Sequence, residues 1–70
     1  MKKEIDIEGM MCNHCVISVT NALKSIDGIK KVKVDLKKGK AIVEGNNISN
    51  DEITDKITNL DYKVTNIKDI

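Results

Sequence analysis

The residues able to do chemistry lie together, in Gly9-Met10-Met11-Cys12-Asn13-His14-Cys15. Two thiols three positions apart can hold a soft metal or exchange a disulfide. The thiolate is the working form in both cases. A helix N-terminus favours it by lowering the thiol pKa through unpaired N–H groups and partial positive charge. The pattern predicts Cys15 in the first turn of a helix and Cys12 on the loop just before it, with both sulfurs facing one spot. Soft sulfur ligands select Cu(I), zinc or an iron–sulfur cluster. Zinc prefers four ligands, and a cluster needs four cysteines or close to it. The chain offers two Cys and one His beyond its carboxylates. Cu(I), a d¹⁰ ion content with two or three sulfurs, is the metal left. On spacing alone, a redox dithiol and a chance pair stay open beside metal binding. A thioredoxin-like dithiol also stands at a helix N-terminus. That family typically sets an aromatic before the motif and a proline facing it, and this chain has neither Trp nor Pro. A disulfide between the two would close a tiny loop and stabilise little.

The elements that must position this stretch are readable from periodicity. Ile5 and Ile7 alternate with Glu4, Asp6 and Glu8, a half-buried strand over Lys3 to Glu8. Met10 to Asn13 is loop. From about His14 to Ser25 the period changes, with Val16, Val19, Leu23 and Ile26 as the inward stripe of an amphipathic helix. Asp27-Gly28 ends it, Gly28 suiting a left-handed C-terminal cap. Val32, Val34 and Leu36 form a second strand, and Lys37-Lys38-Gly39-Lys40 a hairpin turn. Ala41 and Val43 point inward from a third strand, Ile42 outward, and Gly45-Asn46-Asn47 is loop. Ser49 and Glu52 make a capping box, with Ile48 stapling onto Ile53. Ile53, Ile57 and Leu60 line the second helix. A last strand runs from about Tyr62 to Ile67, but Tyr62 and Val64 have the opposite parity to Ile67, so its register is open. The order is βαββαβ, an α+β split arrangement with a four-stranded antiparallel sheet and two helices on one face.

Length and composition exclude much else. Seventy residues with 40% apolar content make one domain, 1–70, with one thin core. Such a core has little volume to spare for an enzyme pocket. No run of about 20 apolar residues is present, so membrane insertion is not expected. The basic start has no apolar stretch behind it, so no export signal is read and the expected compartment is the reducing cytoplasm. Net charge is +1, but seven lysines between Lys24 and Lys40 face only Asp27 and Asp35. This basic segment protects an edge strand or docks an acidic partner. No aromatic interleaves with it, so no nucleic-acid surface is expected.

The stretch Gly9-Met10-x-Cys12-x-x-Cys15 resembles the signature of the heavy-metal-associated domain family. With His14 before the second cysteine it is most similar to the free-standing bacterial copper chaperones of that family. The resemblance covers the whole chain: the helix stripe, Asp27-Gly28-Ile29, the Gly39-Lys40 turn and Tyr62 all have equivalents. It implies a ferredoxin-like βαββαβ sandwich, Cu(I) held by Cys12 and Cys15, and delivery to the metal-binding domains of a copper-transporting P-type ATPase. The family usually has Gly-Tyr entering the last strand, where this chain has Asp61-Tyr62.

Each neighbouring residue has a plain reading beside the chemical one. Met10 could donate a thioether, but as a core residue it holds the loop in shape from beneath. Met11 is read as exposed, with docking as its sharper role. His14 is a third ligand or modulator, or simply solvent-facing. Tyr62 fills core volume; the resemblance implies that it also approaches the loop and shields the copper. An exposed two-ligand site keeps open positions, so a partner's thiolate can bind before either original sulfur leaves. The same openness allows a copper-bridged homodimer. Other readings are a dithiol oxidoreductase, a metal-binding domain excised from the ATPase, or a relative specific for mercury or zinc.

Overall fold

The computed structural model describes residues 1–10 and 13–70. Six elements follow one another: β1 (Lys2–Glu8), α1 (Asn13–Lys24), β2 (Ile29–Asp35), β3 (Lys40–Gly45), α2 (Asn50–Thr58) and β4 (Lys63–Asp69). The strands form one sheet in the order β2-β3-β1-β4, every neighbouring pair antiparallel. Ile5 and Ile7 of β1 and Ala41 and Val43 of β3 supply the inward face of the two central strands. Val19 and Leu23 of α1 and Ile53 and Ile57 of α2 close over it, with Ile26 and Ile48 sealing the side. This is the βαββαβ sandwich that the alternation predicts.

Several local readings are corrected, Leu36 and Leu60 among them, which lie just past the ends of β2 and α2. Val16 is only half-buried, because the first turn of α1 carries the start of the stripe towards the rim of the core. Gly28 does not cap α1, which ends at Lys24. It stands instead in the following turn, closed by Ile29 N–H donating to Ile26 C=O, at φ +94°. Gly45 belongs to β3 rather than to a loop, opposite Ile29 of β2. Ser49 does cap α2 by backbone conformation, but the side-chain bond of a capping box is not made. Asn50, Asp51 and Glu52 are exposed, so the first turn has solvent for its N–H groups.

The parity conflict in β4 is resolved by a bulge. Asp6 faces Asn66, while the next residue of β1, Ile7, faces Val64. Thr65 is therefore the extra residue, and its hydroxyl donates to Asp6 C=O at 3.3 Å. One inserted residue returns the inward face to Ile67, so Tyr62, Val64 and Ile67 all pack against the core.

On the sheet's outer face, the Lys40 ammonium lies 3.1 Å from Glu4 Oε1 and 3.7 Å from Asp6, and Lys68 is 3.7 Å from Glu4. The hydrogen bond from Lys40, aided by Lys68, holds the Glu4 carboxyl below its ordinary range. Glu4 in turn raises Lys40. A depressed carboxyl contributes stability above its unfolded pKa and loses it as pH falls through the folded value. Urea midpoints of wild type and Glu4→Gln should therefore differ in favour of wild type at pH 7. The gap should close on acidification below the usual carboxylate range. A gap that is constant down to pH 3 would remove this ion pair from the account.

Candidate metal centre

Antiparallel register gathers three loops at one end of the sheet. Glu8, the last residue of β1, pairs with Lys63, the first of β4, and Asp6 pairs with Lys40, the first of β3. Gly9 and the segments 36–39 and 59–62 therefore share this end. Ile7 N–H donates to Gly39 C=O at 2.8 Å, which ties the 36–39 turn to the strand leading into Gly9.

Gly9 turns the chain out of β1 at φ +101°, in the left-handed region where a side chain is strained. A Cβ there would also stand 3.2 Å from Tyr62 Cδ1. The tyrosine ring thus packs directly against the Gly9 backbone, so the residue just before β4 meets the end of β1 with the chain's one aromatic side chain. Met10 follows, half-buried and packed on the core. That core packing agrees with its apolar reading.

Asn13 and His14 are exposed at the start of α1, and Cys15 is half-buried in its first turn. No acidic residue occupies that turn, and Lys24 stands in the last one. A sulfur anion at Cys15 therefore faces the positive end of the helix with no opposing carboxylate in its own turn. Met11 and Cys12 lie outside the described residues, so the docking role read for Met11 and the ligand role read for Cys12 carry no geometry here. Among the described residues, no three of His, Cys, Asp and Glu gather into a ligand group. Described elements thus bring Cys15, His14, Met10 and Tyr62 to one end of the molecule, the first two on α1 and the others flanking Gly9. The resemblance implies that Tyr62 approaches the loop; that Gly9 is the residue it meets was not read from the sequence. The one signal of that contact was the glycine itself, which leaves room for a ring.

A βαββαβ sandwich with a cysteine in the first helical turn, beside a glycine-bounded loop, is the framework of a small metal-binding domain. The model of the heavy-metal-associated domain family matches residues 4–67, and the chain belongs to that family. The copper chaperone CopZ of Enterococcus hirae is 46% identical over 65 residues, covering 90% of this chain and 94% of that protein. Among solved structures, a CopZ metallochaperone matches with a TM-score of 0.89 at 30% identity, over 93% of this chain and 100% of its own. A copper binding domain from HMA7, a P-type ATPase, matches with a TM-score of 0.86 at 28% identity, over 99% and 96% of the two chains. Among the described residues, no helix is long and apolar enough to cross a membrane.

Proposed function

We propose that this chain is a cytoplasmic copper chaperone, a single domain that binds Cu(I) through the thiolates of Cys12 and Cys15. It hands the ion by ligand exchange to the metal-binding domains of a copper-transporting P-type ATPase. The observation that carries this reading is the 46% identity with a copper chaperone across nearly the full length of both chains. The structural likeness to a copper binding domain of a P-type ATPase supports the choice of acceptor. Donor and acceptor then share one fold, and the metal moves between sites of one kind. Cys15 in the first helical turn supports thiolate ligation. His14, exposed beside it, modulates affinity, while Met10 holds the loop and Tyr62 covers its flank.

The chemistry is transfer, not turnover. Two ligands leave copper coordinatively open, and an acceptor thiolate adds before a donor thiolate departs. The bound ion passes through shared three-coordinate copper, so no step strips it bare. Two copies of the chain can share copper in the same way. Lysines 37 and 38, exposed on the turn at the same end, orient the encounter.

The test is stopped-flow transfer of Cu(I) from the loaded chain to a reduced ATPase metal-binding domain. The observed rate should rise with acceptor concentration and exceed the rate of loss to a chelator too bulky to reach the loop. A rate independent of acceptor concentration would mean that copper dissociates first, and the carrier mechanism would fail. A parallel insulin-reduction assay should show no turnover. Sustained dithiol turnover would favour the oxidoreductase reading.

A further inference from the structure

The turn that delivers Tyr62 to the metal loop carries a residue poorly suited to it. After α2, Asp61 N–H donates to Thr58 C=O at 2.9 Å, and Tyr62 N–H donates to Ile57 C=O at 3.4 Å. These are the paired bonds of a Schellman turn, whose left-handed position is usually glycine. Asp61 occupies that position at φ +65°. Two costs meet on this residue. A side chain in the left-handed region crowds its own backbone, although aspartate bears this better than most. Its carboxylate also stands at the negative end of α2. The next residue, Tyr62, packs its ring against Gly9, at φ +101° where β1 opens into the loop. The long Tyr62–Ile57 bond and the strained residue before it thus lie between a firmly packed helix and the flank of the metal loop.

We propose that Asp61 is a positioning residue for metal transfer. Its strain keeps the 59–62 turn easily opened, so that Tyr62 lifts from Gly9 and lets an incoming ligand reach the loop while the rest of the fold stays closed. The part concerning transfer rests on the copper-carrier reading; the part concerning the turn does not. Local opening of this kind needs only a segment whose free energy of opening lies below that of global unfolding. Ile53 and Ile57 anchor the helix side, both fully buried, whereas Asp61 is exposed.

The test is a pair of variants on the full chain, Asp61→Gly and Asp61→Ala. Both remove the carboxylate, so an effect of charge moves both in the same direction. Strain moves them in opposite directions, because glycine accepts the left-handed conformation and alanine bears it worse than aspartate. By amide hydrogen exchange, opening at Tyr62 should fall about threefold in Asp61→Gly and rise about threefold in Asp61→Ala. Exchange at Ile5 and Val43 should shift less than at Tyr62. With Cu(I) loaded, transfer rates should follow the same order while equilibrium affinity stays unchanged.

Shifts of the same sign in both variants, or equal shifts at Tyr62 and in the core, would overturn the role of strain. Transfer rates that ignore the exchange order would overturn the gating role. If the chain takes no cuprous ion, the copper reading fails by itself and the exchange order still decides the part played by the turn.

Discussion

Gly45→Ala is expected to cost about 3 kcal/mol or more of folding stability. A Cβ at this position would stand 2.8 Å from Ile29 Cα and far inside contact distance of the Gly28 carbonyl oxygen. The obstacles are backbone atoms, so no rotamer change relieves them. The same carbonyl accepts the Asn46 N–H at 2.8 Å, and pushing it aside breaks that bond. Overpacking a closed core typically costs about 1–3 kcal/mol, and a clash with backbone belongs at or above the upper end. A domain of this size has only about 4–10 kcal/mol in total. Gly39→Ala makes the comparison: its Cβ would meet Ile7 O at 3.1 Å, a milder approach, though its φ of +65° adds strain. Urea denaturation of the three proteins should rank wild type above Gly39→Ala above Gly45→Ala. A Gly45→Ala midpoint within the equivalent of about 1 kcal/mol of wild type would show that the β2–β3 closure yields where this packing says it cannot.

Replacing Cys12 and Cys15 together by serine is expected to reduce cuprous affinity by at least about three orders of magnitude while leaving the fold intact. Hydroxyl oxygens are hard, neutral donors, and Cu(I) gains little from them. Cys15 is half-buried at the rim and contributes nothing to the fully buried core. Serine is close to isosteric, so the stability change should stay within about 1 kcal/mol. Thermal unfolding of the metal-free variant checks the second half and a chelator competition the first. Retained stoichiometric capture would place the ligands elsewhere, and loss of folding would make the pair structural.

Much of this fold was legible because its core is simple. Ile5/Ile7 and Ala41/Val43 alternate cleanly, and Val19, Leu23, Ile53 and Ile57 fall at helical spacing, so period alone separates strand from helix. The register of β4 was not legible, because a bulge at Thr65 is a three-dimensional event. Only pairing with Asp6 and Ile7 shows which residue is extra. Lys3 was equally hidden. It shares the inward parity of Ile5 and Ile7 and is buried, its ammonium 2.8 Å from Asn50 Oδ1 and 3.0 Å from the Asp69 carboxylate. Those partners lie 47 and 66 positions away, and nothing local announces them. Helix ends were read too long or too tidily. Gly28 and Leu60 lie beyond their helices because turn bonds, not periodicity, decide where each stops. At the candidate centre, the residue types and their spacing were in the sequence, as was the place of Cys15 on α1. The seating of Tyr62 on Gly9 depended on the β1–β4 pairing, which no spacing encodes.

One measurement bears on the central claim more directly than any other: anaerobic titration of the fully reduced chain with Cu(I) against a chromogenic chelator, beside the same titration with Zn(II). One equivalent of Cu(I) should be withdrawn from the chelator per chain, or one per two chains where copies share the ion, and zinc should bind far more weakly. A chain that leaves cuprous ion with the chelator while taking up zinc tightly would contradict the assignment of Cys12 and Cys15 as a copper-carrying pair.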